Sequence, residues 1–327
     1  MHDVDPSLLA PQGEGEGPVA LSVVIPVYNE ESGLEALFAR LLPALDALAL
    51  RYEAIFVDDG SRDRSAAILA QHFEARPDVV RVVMLNGNFG QHRAILAGFE
   101  RCRGERVVTL DADLQNPPED IHLLLEAMAQ GFDYVGSIRR DRQDAAWRRW
   151  ASRAMNRLRL RLTGIAMTDH GSMMRGYSRD VVQLINQCNE MNTFIPALAY
   201  QFARNPTEVV VGHEARHAGT SKYSLYSLIR LNFDLVTGFS VVPLQAFSML
   251  GIVVSLLSGL LFAVLAVRRV VIGPEEGGVF TLFALAFLLI GLALFGIGLL
   301  GEYIGRIYQE VRARPRYLVR AVLERRP

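Results

Sequence analysis

The apolar run Val107-Val-Thr-Leu110 leads directly into Asp111-Ala-Asp113-Leu-Gln115-Asn-Pro-Pro118. Side chains alternate along a strand, so Asp111 and Asp113 fall on one side, with Ala112 turned away, as long as the extended backbone continues. Two hard oxygen ligands this close, with Gln115 a further two residues on, suit a divalent cation that also carries a nucleotide diphosphate. The plain alternative is a solvated acidic turn ahead of Pro117 and Pro118.

The elements that would position this pair are legible upstream. Short apolar runs at 21–27, 53–57, 79–85, 106–110 and 134–138 read as strands, and 33–50, 64–75, 91–101 and 118–130 read as the helices between them. Alternation at this spacing implies an α/β domain with a mostly parallel sheet covered on both faces. Ligands bind such sheets beyond the carboxyl ends of the strands. Polar motifs cluster there: Tyr28-Asn29-Glu30, Asp58-Asp59-Gly60-Ser61, 86–91 and 111–115. Taken alone, Asp-Asp-Gly-Ser is ordinary turn chemistry.

Residues 139–240 are less regular and richer in arginine. The stretch 147–162 reads as a helix with Arg149, Arg153, Arg157 and Arg161 recurring on one stripe. That basic stripe is expected to meet the anionic lipids of a membrane surface, the alternative being a solvated face. The segment 224–239 also reads as an interfacial helix. Residues 244–267 and 279–300 contain no Asp, Glu, Lys, Arg or His. At about 1.5 Å per residue each exceeds the ~30 Å hydrocarbon core. The tail is basic, with Arg306, Arg312, Arg314, Arg316 and Arg320, which keeps both termini cytoplasmic with a small external loop between the spans. The expected organisation is a disordered tail over 1–18, a catalytic domain over 19–222, a juxtamembrane helix over 223–242, two transmembrane helices within 243–303 and a basic cytoplasmic tail over 304–327.

Bulk properties exclude several classes. Half of the 327 residues are hydrophobic and the net charge is −1, which gives no global electrostatic case for nucleic acid. The two cysteines, Cys102 and Cys188, have no metal-like spacing and suit a reduced compartment. The start of the chain lacks the basic and apolar segments of a signal peptide, so the first domain is expected in the cytoplasm. Lys222 is the only lysine in the chain. Where arginine replaces lysine almost everywhere, the survivor is a candidate for a role a planar guanidinium cannot fill.

Ser22-Val-Val-Ile-Pro-Val-Tyr-Asn-Glu30, Val57-Asp-Asp-Gly-Ser61 and Asp111-Ala-Asp-Leu-Gln115 resemble the family 2 glycosyltransferases of GT-A (Rossmann-like) fold. The resemblance extends to the branch with a C-terminal transmembrane helical hairpin that makes polyprenyl-phosphate sugars. Asn88-Phe-Gly-Gln-His92, 111–118, Arg142-Gln-Asp144, Thr193-Phe-Ile-Pro196, Ser221-Lys-Tyr223 and 301–317 look like the subgroup that moves 4-deoxy-4-formamido-L-arabinose from UDP to undecaprenyl phosphate in lipid A modification and polymyxin resistance. Together these motifs cover nearly the whole chain from residue 20.

The resemblance implies that Pro26, Tyr28, Glu30, Asn88, Gln91, Asp111, Ala112 and Asp113 line the UDP-sugar pocket, and that Asp58 or Asp59 bonds the base. It implies Mg²⁺ or Mn²⁺ at Asp111, Asp113 and Gln115. A lipid phosphate monoester has a second pKa near ~6, so it arrives ionised and needs cations more than a general base. Arg139, Arg142, Arg148, Arg175, Arg216 and Lys222, with Ser221, are the candidates to bind it, several of them expected to be merely solvated. Asp113, Arg216 and Lys222 are the expected catalytic residues together with Asp169, which could position the nucleophile, orient an arginine or close a turn. The implied setting is the bacterial inner membrane, among its lipids, as a multi-pass homo-oligomer (a tetramer in the family), with Gly291, Gly296, Gly298 and Gly301 offering a close-packing face. Rivals are a glucosyl, mannosyl or aminosugar transferase of the same family, a processive synthase and a tethered nucleotide-sugar sensor or scaffold. The synthase would carry Gln-x-x-Arg-Trp, and Arg148-Arg-Trp150 lacks the Gln.

Overall fold

A computed structural model describes residues 18–139, 167–169, 171–188, 194–214, 242–271, 273, 279–312 and 314–325, with side chains for only part of 242–312. The helix expected at 147–162, the segment 224–239, nearly all of the N-terminal tail and the candidates Arg142, Arg148, Arg216, Ser221 and Lys222 lie outside the described residues.

The described chain forms two units. In the first, β1 (Leu21–Val27), α1 (Leu34–Asp46), β2 (Tyr52–Asp58), α2 (Ser65–Ala75), β3 (Val80–Leu85), α3 (Gln91–Phe99) and β4 (Arg106–Thr109) alternate as expected. They are followed by α4 (Ile121–Ala129), β5 (Tyr134–Arg139), β6 (Arg175–Ser178), α5 (Arg179–Gln187), α6 (Ile195–Phe202) and β7 (Pro206–Val211). The strands make one sheet with β8 (Val319–Leu323), in the order β7-β5-β6-β4-β1-β2-β3-β8. β6 runs antiparallel to β4 and β5, and β8 runs antiparallel to β3, while the remaining pairs are parallel.

β1 and β2 are buried almost end to end because helices cover both faces, hence their unbroken apolar runs. Pro26 sits inside β1, where a missing N–H would normally break a ladder. Backbone groups two residues apart point the same way, so Pro26 faces the side served by Val24. There the last bond to β4 runs from the Leu110 N–H to the Val24 carbonyl at 3.1 Å, so the ladder ends where proline has no N–H to give.

The second unit consists of α7 (Val242–Val271) and α8 (Val279–Val311). They pack through Phe247 and Phe295, whose ring centroids lie 5.6 Å apart. A Cβ on Gly296 would run into the Phe247 ring, so this glycine serves contact within the chain. Gly291, Gly298 and Gly301 face open space.

Within the stretch expected as a basic tail, residues 319–323 form β8. Its register, Val82 opposite Leu323 and Met84 opposite Ala321, places Glu324 beside Arg81. Arg81 is buried and also pairs with buried Glu53 at 2.6 Å. Glu53 in turn accepts from the Ser22 hydroxyl and the Arg103 N–H, both at 2.6 Å. Removing one partner of a buried pair leaves the other charge uncompensated, so Arg81→Met is expected to destabilise the fold by about 3–5 kcal/mol. Urea unfolding of the full chain in detergent measures this. A loss no larger than that of exposed Arg103→Met would refute it.

Candidate active site

Strands β4, β1, β2 and β3 are neighbours, so the loops that follow them meet at one sheet edge. Chain order reverses between β1 and β4, the position where open α/β sheets form a crevice. Tyr28-Asn29-Glu30 lies on one side of that crevice and Asp111 on the other.

The β1 and β2 loops are fastened reciprocally. The Asn29 and Glu30 N–H groups donate to the Ser61 and Ser65 hydroxyls, each at 3.0 Å. The Asn29 side-chain oxygen accepts from the Arg62 N–H at 2.8 Å. Gly60, at φ 71°, passes so close to Gly87 that a Cβ would lie 2.5 Å from its carbonyl carbon. Only glycine satisfies both the left-handed backbone and that approach.

Asp58 and Asp59 are both buried but differ in what they hold. Asp59 accepts from the Phe89 N–H at 2.7 Å and the Gly90 N–H at 2.8 Å, one to each oxygen. Burial raises its pKa, and those two N–H groups oppose the rise. Among the described residues Asp58 is engaged through Oδ1, by the Ser61 N–H at 3.1 Å. Asp59 therefore shapes the β3 loop, and Asp58 is the carboxylate with capacity left for a ligand.

The Asp111 loop corrects one expectation. Extension stops at Thr109, residues 112–116 turn, and buried Leu114 takes a left-handed φ of 58°. Gln115 is therefore not one more strand step from Asp113; its N–H closes a turn onto Asp113 Oδ1 at 3.2 Å. Gln91 at the start of α3 donates its side-chain amide to Asp111 Oδ1 at 2.5 Å. Burial, followed by the charge of Asp113, pushes the Asp111 carboxyl up to about 7. Two carboxylates that resist ionising together make a donor set suited to a hard divalent cation. Among the described residues no three or more His, Cys, Asp or Glu side chains gather as a metal cage. Magnesium-type sites built from one or two carboxylates plus phosphates need no such cage.

Of the acceptor-phosphate candidates, two are described. Arg139, at the end of β5, grips Asp169 with both edges, Nε to Oδ2 at 2.7 Å and Nη2 to Oδ1 at 3.0 Å. The Asp169 carboxylate keeps that guanidinium firmly protonated, and its charge also acts on Asp111. Asp169 thus pairs with an arginine and also closes a turn, accepting from the Gly171 N–H at 2.9 Å. Arg175 is a correction. It is fully buried, donating to the carbonyls of Ser172 at 2.8 Å and Asp169 at 2.6 Å and to the Tyr134 hydroxyl at 2.5 Å. With its donors taken by the protein, it braces the Asp169 turn and offers nothing to a phosphate.

Pro26 is half-buried, Tyr28 and Asn88 are exposed, Ala112 is buried, and Glu30 sits half-buried above Ser65. His92 is pushed down to about 4 by burial and by Arg175, and its ring stands edge-on to Phe194 at 5.1 Å. It is neutral at pH 7 and has no acid role there. Sequence reasoning passed over the serines of the β2 loop as scaffold, and also Arg40, Glu119 and Glu214. Their contacts join residues 32 to 174 positions apart, for which local spacing carries no signal.

Residues 22–185 match the profile of Glycosyl transferase family 2. The chain is 52% identical over 306 residues to the undecaprenyl-phosphate 4-deoxy-4-formamido-L-arabinose transferase of Edwardsiella ictaluri (strain 93-146), covering 93% of this chain and 94% of that one. It is 51% identical over 310 residues to the protein of the same description from Pseudomonas aeruginosa (strain LESB58), covering 94% and 91%. Among solved structures it is similar to glucosyl-3-phosphoglycerate synthase from Mycobacterium tuberculosis in complex with Mn²⁺, uridine-diphosphate-glucose and phosphoglyceric acid. That match has a TM-score of 0.46 and 19% identity over 67% of this chain and 78% of the other. The chain belongs to glycosyl transferase family 2.

The division of labour between the paired aspartates is testable. Asp59→Asn replaces one acceptor by a donor facing an N–H, and each bond to a charged group contributes about 1.5–3 kcal/mol. Amide exchange at Phe89 and Gly90 is expected to accelerate accordingly. Unchanged exchange there would show that Asp59 does not hold the loop.

Proposed function

We propose that the protein transfers 4-deoxy-4-formamido-L-arabinose from its UDP donor to undecaprenyl phosphate, with inversion, at the cytoplasmic face of the bacterial inner membrane. The observation that carries the reading is the identity of about half the residues, over nearly the full length, with transferases of that description. The carboxylate pair at the β1/β4 crevice gives it a chemical centre.

In this reading Asp58 bonds the base, while Pro26, Tyr28, Glu30, Asn88, Gln91 and Ala112 line the donor pocket. Asp111 and Asp113 hold a divalent cation, magnesium or manganese, which when bound would lower the charge on departing UDP. Gln115 is the expected third ligand, and its backbone N–H closes the turn that carries Asp113. The acceptor needs no base because its phosphate is already ionised at neutral pH. A phosphate oxygen forms the bond to the anomeric carbon as the carbon–oxygen bond to UDP breaks. One displacement inverts that carbon. Arg139, pre-oriented by Asp169, with Arg142, Arg148, Arg216, Ser221 and Lys222, offsets the repulsion between the two anions.

The membrane reading places α7 and α8 across the bilayer as a hairpin, in a homo-oligomer that the family pattern makes a tetramer. Their 30 and 33 residues exceed the ~30 Å core at about 1.5 Å per residue. Large apolar side chains are exposed along both, Leu256 by 70% and Phe287 by 69%. Among the described residues no helix is long and apolar enough to cross a membrane. The spanning assignment therefore rests on the uncharged stretches 244–267 and 279–300.

Purified protein and undecaprenyl phosphate, offered a panel of UDP-sugars, are expected to turn over the formamido-arabinose donor, to stop in EDTA and to recover with Mg²⁺ or Mn²⁺. Asp113→Asn is expected to lower kcat/KM about a hundredfold or more, the several kcal/mol a Lewis acid contributes. Turnover of UDP-glucose in preference would overturn the sugar, and full activity in EDTA would remove the metal. Undiminished transfer by Asp113→Asn or a Lys222 variant would remove the role given to that residue, and binding of UDP-sugars with no transfer from any of them would favour a sensor or scaffold.

A further inference from the structure

The chain leaving β7 is tied to the acidic loop by a group of bonds that the donor site does not use. The Gly212 N–H donates to Asp120 Oδ2 at 2.6 Å, and the Glu214 N–H donates to the Gln115 carbonyl at 2.9 Å. A Cβ at Gly212 would come within 3.1 Å of the Pro117 ring, so backbone and loop are in close approach. Arg40 of α1 closes the arrangement. Its Nε and Nη2 donate to the two oxygens of Glu119 at 3.0 and 2.9 Å. Its Nη1 and Nη2 donate to the two oxygens of Glu214 at 2.9 and 3.0 Å. One guanidinium thus presents two edges to two carboxylates, a geometry that a lysine ammonium has no means to reproduce.

We propose that Arg40 is a positioning residue that sets where the chain leaves β7 relative to the Asp111 and Asp113 pair. Glu119 belongs to the end of the acidic loop, and Glu214 precedes Arg216 by two residues and Lys222 by eight. The inference rests on the reading that Arg216 and Lys222 receive the acceptor phosphate. Stability is not the purpose of the group. The three side chains are 28%, 49% and 40% exposed, and ion pairs so open to water contribute little to folding. What a doubly bidentate contact supplies is direction: it holds the backbone at 212–214 in one place against the loop that carries the cation ligands.

The test compares Arg40→Gln, Glu214→Gln and the double variant with the unaltered full chain in detergent, using undecaprenyl phosphate and the formamido-arabinose donor. Hydrogen–deuterium exchange at Gly212 and Glu214 is expected to accelerate in Arg40→Gln while the melting temperature stays within error. The KM for undecaprenyl phosphate should rise about fivefold or more while that for the UDP-sugar stays within about twofold, and the double variant should do little worse than either single one, as for residues in one network. Unchanged exchange at both amides, or an equal rise in both KM values, overturns the proposal. If the unaltered protein fails to use undecaprenyl phosphate, the functional reading fails on its own, and the exchange measurement still decides whether Arg40 pins the segment.

Discussion

Asp111 and Asp113 repel each other, and the surrounding structure both enforces and offsets that repulsion. β4 ends just before them, and the left-handed backbone at Leu114 turns the chain so that Gln115 closes onto Asp113 rather than continuing the strand. Burial deepens the cost of two charges, which is why the Asp111 carboxyl rises to about 7. Gln91 relieves most of what is relieved, through a side-chain amide, and the Met173 backbone and the charge of Arg139 each relieve less. A divalent cation would relieve the rest, and a nucleotide diphosphate would complete its shell. The same electrostatic logic governs the proposed acceptor, an anion that must approach an anionic donor.

Much of the polar sequence at the sheet edge serves the backbone. Asp59 is committed to two N–H groups of the β3 loop, and Ser61 and Ser65 to two N–H groups of the β1 loop. Buried donors without partners are costly, so loops carried on strand ends need such acceptors to keep one conformation. Arg175 does for the Asp169 turn what Asp59 does for the β3 loop, with the charges reversed. The outcome is a crevice whose walls are tied to one another by hydrogen bonds.

The strands of the first half were legible because helices cover both sheet faces, which makes each strand a continuous apolar run. The boundaries of β1 to β5 fall within about one residue of expectation for that reason. β6, only four residues long and containing Arg175 and Gly176, carries no such run. β8 reads as part of a basic tail because it lies at a sheet edge, where Arg320 is exposed. Its identity as a strand depends on the exposed edge of β3 and on the Glu53–Arg81–Glu324 contacts, which no local pattern announces.

The amino-acid sequence by itself determined the α/β alternation, the acidic pair at a strand end, two uncharged helical stretches and the family to which these belong. Those properties are local, set by periodicity and by residue types a few positions apart. Only the tertiary structure decided which of two adjacent aspartates holds a loop, which arginine is buried and which is presented, and that Arg40 joins segments up to 174 residues distant. A charged side chain does one thing when its donors are taken by backbone carbonyls and another when they face a crevice, and that choice is made by neighbours that folding brings in from elsewhere in the chain.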